Sequence, residues 1–326
     1  MDRRLERACV CFVVVTLAGC GDFGPSGPLA ATQHFASHNF VRLESDAGEW
    51  VGQGRSYSYT QANAVLTVTS TDGHLSVEVR GNETWLSEFQ LPGRDRLQAG
   101  TFTEGFNWFR DVLGCGAVTG SFTIEHVRYA GDNLTAIDLG FEQHCEGGPA
   151  ALRGRIHWRR DDPTRPSGPV LPVPPGLWQP ALGLTPTTGD YVFLQSDAGD
   201  WIGQGRTTTL TQSNSTITVT ADQGRINVRI DGDSWWFGDF EAMSTLSQLQ
   251  AGYYPDLHRF PLHNPAKGGL SWFGEGRGCD TLRGWFAVDR ATYDGPNLTG
   301  LDLRFEQRCG AGAPALRGAI HWNSLG

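Results

Sequence analysis

Apolar and polar residues alternate with a period of two along several short stretches of the chain. Every second residue is Leu or Val in residues 75–79, and Ile or Val in residues 226–230. Such alternation places side chains on opposite faces of a β-strand. The dipeptides Asp72-Gly73 and Gln223-Gly224 precede these stretches, where a hairpin turn is expected. The best helical candidate is only a short stretch, residues 242–250, so the pattern predicts an all-β chain.

The chain contains two copies of one module. The sequence SDAGEWVGQGR at residues 45–55 returns as SDAGDWIGQGR at residues 196–206, and ALRG at residues 151–154 returns at residues 315–318. A period this long is typical of tandem domains, because solenoid repeats run only about 20–50 residues. We therefore predict two homologous β-sandwich-like domains, with an insertion in the second copy around residues 255–269.

Proline marks the segment between the copies. Residues 161–188 are rich in proline, which favours an extended, semi-rigid spacer over strand or helix. The predicted organisation is a signal peptide at residues 1–19, a flexible tether at 20–38, a first β-domain at 39–160, a proline-rich linker at 161–188 and a second β-domain at 189–326.

The N-terminus has the features of an export signal. Arginines between Met1 and Arg7 precede an apolar run over residues 8–17, which is typical of a secretory signal and shorter than the roughly 20 residues that span a bilayer. The following Leu17-Ala18-Gly19-Cys20 resembles a bacterial lipobox. The resemblance implies that Cys20 is acylated, that residues 1–19 are removed and that the membrane is a partner through the lipid anchor. The alternative is an ordinary secretory signal with a coincidental Cys.

The predicted location is the cell envelope. Asp directly after the lipobox Cys often retains a lipoprotein in the inner membrane, and here that position is Gly21. The outer membrane or the cell surface is therefore expected if the bacterium has two membranes. The net charge of −9 and the absence of a basic run argue against nucleic acid as a partner, because binding phosphates needs clustered Lys and Arg. We predict a monomer.

Four cysteines are predicted to form two disulfides. Cys115 and Cys145 are 30 residues apart, as are Cys279 and Cys309, and a turn sequence lies midway between each pair. A hairpin about that turn would bring each Cys opposite its partner, and an exported protein meets the oxidising conditions that disulfides need. Each bond should stabilise its domain by about 3–4 kcal/mol on the chain-entropy model. The alternative, metal binding by two thiolates, lacks further soft ligands nearby.

The sequence around these cysteines resembles a module that recurs in secreted bacterial proteins. The resemblance rests on GEGRGCDTL at residues 274–282, FEQRC at residues 305–309 and PALRG at residues 314–318, and the first copy carries FEQHCEGG at residues 141–148. It implies the architecture and an exported location, and it implies no chemistry.

Acidic residues in the repeated turn are candidate metal ligands. Asp46 and Glu49 in the first copy correspond to Asp197 and Asp200 in the second. Carboxylate oxygens suit Ca²⁺, which takes six to eight of them, so each turn would need oxygens from elsewhere in its domain. The alternative is a structural turn in which the Asp caps backbone amides. We predict no other cofactor.

Several tryptophans are candidates for stacking on sugars. Trp235 and Trp236 are adjacent, so in a strand they point to opposite faces and one of them should face outward. Only Trp236 has a Trp counterpart, Trp85, so Trp235 is the expected surface residue, and all three are possible glycan-binding residues. Trp50 and Trp201 are in register with apolar strand positions and are predicted to lie in the core.

Charged residues that recur have a structural explanation. Glu142 and Arg153 return as Glu306 and Arg317. A site shared by both copies would explain this, but we favour a salt bridge across neighbouring strands in each copy.

The sequence contains no convincing catalytic spacing, so we predict that the protein is not an enzyme. The leading hypothesis is a membrane-anchored exported lipoprotein whose modules bind an extracellular glycan or protein. One alternative is a structural spacer with no specific ligand. The other is a hydrolase with carboxylates at a shared site, drawn from Asp46, Asp138 and Glu142 with their counterparts.

Overall fold

A computed structural model describes residues 38–324 of the chain. The predicted signal peptide, Cys20 and nearly all of the predicted tether lie outside the described residues and stay predictions. Residues 38–324 contain strands, turns and loops and no α-helix, which confirms the predicted all-β class. The helical candidate at residues 242–250 forms turns and bends. Within the described part of the chain, no helix has the length and hydropathy needed to cross a membrane.

Twenty strands are arranged in two modules that follow one another along the chain. The strands of the first module are β1 (Phe40–Ser45), β2 (Ser56–Thr60), β3 (Val65–Thr71), β4 (His74–Arg80), β5 (Thr84–Gln90), β6 (Gly100–Phe102), β7 (Phe106–Arg110), β8 (Val118–Ala130), β9 (Asn133–Cys145) and β10 (Ala151–Arg159). The strands of the second module are β11 (Tyr191–Ser196), β12 (Thr207–Thr211), β13 (Ser215–Asp222), β14 (Arg225–Gly232), β15 (Trp236–Glu241), β16 (Gly252–Arg259), β17 (Gly269–Gly274), β18 (Arg283–Asp294), β19 (Asn297–Arg308) and β20 (Ala315–Asn323).

The first module consists of two sheets that share one core. One sheet has the order β2-β1-β10-β9-β8-β6 and the other the order β3-β4-β5-β7. Their inward residues form a single hydrophobic cluster that includes Trp85, Phe89 and Trp108 from the smaller sheet and Phe122 and Phe141 from the larger. Aromatic side chains bury a large apolar area each, so they dominate the stability of such a core.

The second module has the same strand order, but its strands form one sheet of ten. The two halves join because β16 and β17 pair in parallel, with His258 opposite Gly269 and Arg259 opposite Leu270. The insertion predicted near residues 255–269 explains the difference, since it lengthens β16 until it reaches β17. In the first module β6 has only three residues and ends before β7.

Both predicted disulfides are present. Cys115 is bonded to Cys145, and Cys279 to Cys309. In each module the bond joins the open end of the long hairpin, β8–β9 or β18–β19. The same end of the module carries the turn after the first strand, and the Sγ of Cys145 lies 3.8 Å from the Oε1 of Glu49 in that turn.

The segment between the modules packs on the second one. Val170 exchanges backbone hydrogen bonds with Tyr253, and the Trp178 ring stacks on Phe193 with 6.5 Å between centroids. The Trp178 carbonyl accepts a hydrogen bond of 2.8 Å from Arg304. This part of the proline-rich linker is therefore ordered by contacts and does not act as a free spacer.

A contact between the modules involves the insertion. The buried Asn264 donates to the backbone oxygen of Asn63 at 2.9 Å and to the Oδ1 of Asn82 at 3.0 Å. Its own Oδ1 accepts from the Ala266 amide at 2.9 Å. The insertion of the second module therefore lies against the turns that flank β3 and β4 in the first.

Candidate functional site

The repeated turn after the first strand of each module is held by a buried acid. Glu49 accepts hydrogen bonds of 2.8 Å from the Val51 amide and from the Ser45 hydroxyl, and a third from the Gly52 amide. Asp200 makes the corresponding bonds in the second module. Because a buried carboxylate needs its hydrogen bonds satisfied, these contacts fix the backbone of the turn. A structural turn, which is the alternative to a calcium site, is therefore present around Glu49 and Asp200.

The other acid of the turn belongs to an ion network. Asp197 and Glu306 both accept hydrogen bonds of 2.7 Å from Arg317, which confirms the predicted salt bridge between Glu306 and Arg317. The Arg317 bond lowers the pKa of the Asp197 carboxyl below its ordinary value. In the first module the Arg153 guanidinium bonds Asp46 and Glu142 in the same way, at 2.8 Å each, which confirms the other predicted bridge.

The two predicted calcium ligands of the first turn, Asp46 and Glu49, make hydrogen bonds to different groups of the protein. The Asp46 carboxylate is directed to Arg153 and to the Ala151 amide, and that amide is the main cause of its lowered pKa. The Glu49 carboxylate is directed to the turn amides. Among residues 38–324, no three side chains of the His, Cys, Asp and Glu types are grouped so that they could hold a metal ion. Calcium binding at these turns stays a prediction.

The placement predicted for two tryptophans is wrong. Trp50 and Trp201 are 57% and 58% exposed, although the apolar register predicted that both lie in the core. The reason is that both residues lie in the turn, where the two-residue alternation of a strand no longer applies. Each module therefore presents one tryptophan to solvent from a turn that an acid holds in place.

Two of the three possible glycan-binding tryptophans lie in the core. Trp85 is fully buried and Trp236 is only 5% exposed, because both rings belong to the hydrophobic core of their module. A ring enclosed in the core has no face free to stack on a ligand. Trp235 is 40% exposed, as expected from its position next to Trp236.

Trp235 begins an aromatic row on the outer surface of the second module. Its ring lies 5.6 Å from that of Phe237, which stacks at 5.3 Å on Phe273 of the neighbouring strand. The Arg229 guanidinium lies over the Phe237 ring at 5.4 Å. We call Trp235, Phe237, Phe273 and Arg229 the aromatic row. Trp235 is exposed and the two Phe rings are half-buried.

A polar groove is lined in part by Ser234 and Trp236, the two chain neighbours of Trp235. The groove, which we call the module-2 groove, has a volume of about 340 Å³. Its polar lining consists of Gln204, Arg206, Thr208, Ser234, Glu275 and Arg277, and its apolar lining includes Leu194, Trp236 and Leu316. Glu275 connects the groove to the aromatic row, since its Oε1 accepts a hydrogen bond of 2.8 Å from the Trp235 amide.

The turn that carries Trp201 forms one wall of this groove. Arg277 ties that wall to the opposite one, because its Nε donates at 2.9 Å to the Ile202 carbonyl. Gln204 and Arg206 lie just beyond Trp201 on the same turn. Within residues 38–324, neither the side-chain amide of Gln204 nor the Arg206 guanidinium has a hydrogen-bond partner, so both can bind a ligand.

In the first module the corresponding space is filled by two side chains. Arg110 stands opposite Trp85, where Gly274 stands opposite Trp236, and Tyr57 stands at the register position of Thr208. The buried Arg110 guanidinium lies 5.6 Å from the centre of the Trp85 ring and donates to the Tyr57 hydroxyl.

The Tyr57 hydroxyl in turn donates to the Gly52 carbonyl of the turn at 3.0 Å. Arg110 and Tyr57 thus occupy, in the first module, the place that the groove has in the second.

A scan against protein-family models, a search of curated proteins and a search of solved structures each gave no match for this chain. Its function is therefore inferred from its own sequence and geometry.

Proposed function

We propose that this chain is an exported lipoprotein, anchored to the cell envelope through an acylated Cys20, whose second module binds an extracellular glycan in the module-2 groove. The anchor is supported by the basic and apolar segments that precede Cys20. The observation that carries the binding proposal is the polar groove, whose lining includes Ser234 and Trp236, the two chain neighbours of the exposed Trp235. In this proposal neither module catalyses a reaction.

The chemistry of the groove suits a sugar. A sugar ring has an apolar face of C–H groups and a rim of hydroxyls. The face can stack on an exposed indole, which offers a large apolar area at a small cost in side-chain entropy. The hydroxyls need donors and acceptors, and Gln204, Thr208 and Ser234 provide both. A few polar groups on an apolar floor are the usual composition of a small-molecule site.

A protein partner is the second candidate. It is favoured by Trp50 and Trp201, which are exposed on matching turns of the two modules. Tryptophan is enriched among the residues that dominate binding energy at protein interfaces. Two copies of the same exposed residue would allow one partner to be held at two points.

Thermal shift with a panel of soluble glycans tests the first proposal. The full chain would carry Cys20→Ser so that it is not acylated. A glycan at a hundred times its dissociation constant should add about 2.7 kcal/mol to stability. Trp235→Ala should weaken that binding at least tenfold, because it removes the stacking surface.

Trp50→Ala, in the first module, is the matched control and should leave glycan binding unchanged. A glycan that binds Trp235→Ala as tightly as the parent chain would contradict the proposal. A chain that responds to no glycan, but whose crosslinking to a cell-surface protein is lost in Trp50→Ala, would favour the protein partner.

A further inference from the structure

We infer that the module-2 groove selects glycans that carry a carboxylate, and that Arg206 and Arg277 hold this group. The inference rests on the proposed glycan binding and names the class of sugar. It starts from the charges in the groove lining, which include two guanidinium groups and the single carboxylate of Glu275. The groove is therefore a positive site on a chain whose net charge is −9.

Neither arginine is neutralised by the protein. Within the described residues, no carboxylate lies within salt-bridge distance of Arg206 or Arg277. Other arginines of the module show the contrast, since Arg317 is paired with Asp197 and Arg229 with Asp231. The carboxylate in the groove lining, that of Glu275, accepts a hydrogen bond from the Trp235 amide. An incoming anion would therefore find two uncompensated cations.

Arg277 is held in position before any ligand arrives. Its Nε donates to the Ile202 carbonyl at 2.9 Å and one terminal nitrogen donates to the Glu275 carbonyl at 3.2 Å. Backbone carbonyls fix the guanidinium plane without cancelling its charge. A planar fork fixed in this way loses little entropy on binding a carboxylate, and charge-assisted hydrogen bonds of this kind are stronger than neutral ones.

The first module lacks this pair. Arg55 occupies the position of Arg206, but Leu113 stands where the second module has Arg277, as the matching bridges to Arg110 and Gly274 show. Arg110 of the first module is directed instead onto Tyr57 and Trp85. A pair of arginines beside an open groove is thus a property of the second module.

The test compares glycans that differ only in charge. Polygalacturonate, alginate and hyaluronan would each be titrated against the full Cys20→Ser chain beside their methyl esters, in which the carboxylate is neutral. We expect at least one acid to bind tenfold or more tighter than its ester. Arg206→Gln should weaken binding of the acid tenfold or more relative to binding of the ester, and so remove that preference. Arg55→Gln, at the matching position of the first module, should alter neither.

The outcomes separate the two proposals. If every acid binds no better than its ester, or if Arg206→Gln weakens acid and ester equally, the carboxylate inference is wrong. Binding of neutral glycans that is lost in Trp235→Ala would then still support glycan binding. If no glycan of either kind binds, the proposed function itself fails.

Discussion

Trp85 in the first module and Trp236 in the second occupy the same position in equivalent strands, and both are buried against the same kind of core. The residue that precedes each of them differs, since the first module has Thr84 where the second has the exposed Trp235. On the outer face, Leu86 pairs with Phe109 in the first module as Phe237 pairs with Phe273 in the second.

The difference shows which residues serve the scaffold and which are available for binding. The modules share the strand order, the disulfide, the acid-held turn and the arginine-centred ion network. They diverge at Tyr57 and Thr208, and at Arg110 and Gly274, where one groove is filled and the other is open. The divergent residues that open the groove are therefore the candidates for a function confined to the second module.

Removal of the shared buried tryptophan should have the largest effect. Trp85→Ala and Trp236→Ala should each destabilise their module by about 3–5 kcal/mol, because each leaves a cavity in an aromatic core. The neighbouring exchange Trp235→Thr, which installs the residue of the first module, should change stability by no more than about 0.5 kcal/mol. Urea unfolding measures all three. A large loss of stability in Trp235→Thr would mean that Trp235 belongs to the scaffold.

The ion networks should differ in strength between the modules. The Arg317 side chain is 17% exposed and that of Arg153 is 45% exposed. Arg317→Gln should cost about 1–3 kcal/mol, because it removes the cation that joins two partly buried carboxylates and leaves Glu306 with Arg308 alone. Arg153→Gln should cost only about 0–1 kcal/mol, since water screens an exposed pair. Urea titrations of the two variants decide this order, and equal losses would show that burial does not govern these networks.

A smaller effect concerns the pH dependence of stability. Burial raises the pKa of Glu241 to about 7, whereas the unfolded value is near 4.3. Between these values the folded chain binds more protons than the unfolded one, so stability is full below the unfolded pKa and falls as the pH rises towards 7. Because Glu241 is partly exposed, screening by solvent limits the loss of folding stability over this pH range to about 1 kcal/mol.

The first module supplies the control for Glu241, because Gln90 stands at the equivalent position. Glu241→Gln should therefore be more stable relative to the parent chain at pH 8 than at pH 5. Melting temperatures at the two pH values measure the change. If the melting temperatures of Glu241→Gln and the parent chain differ by the same amount at pH 5 and pH 8, then ionisation of Glu241 does not destabilise the folded chain.

Several features of the site were predictable from sequence for physical reasons that the structure makes plain. The outward position of Trp235 follows from alternation within a strand, and the bridges of Glu142 to Arg153 and of Glu306 to Arg317 follow from residues that recur on neighbouring strands. Both are local properties of regular secondary structure.

Other features depend on contacts that the sequence does not display. The exposure of Trp50 does not follow from alternation, because Trp50 lies in a turn, where the two-residue period of a strand carries no information. The groove could not be predicted from sequence, because its lining comes from β11 and the turn after it, from β12, from the start of β15, from the loop after β17 and from β20. The one sequence signal was the exchange of Arg110 for Gly274 between otherwise similar segments, and its meaning needs the register of both modules.

The central claim is that only the second module binds glycan. The most direct test titrates a glycan that stabilises the Cys20→Ser chain against that parent chain and against its Thr208→Tyr variant. Tyr at position 208 should fill the groove as Tyr57 does in the first module, where its hydroxyl reaches the Gly52 carbonyl. We expect one glycan to bind per parent chain and to bind Thr208→Tyr at least tenfold more weakly. The reverse exchange in the first module, Tyr57→Thr, should leave glycan binding unchanged. Two equivalent sites per chain, or unchanged affinity in Thr208→Tyr, would contradict it.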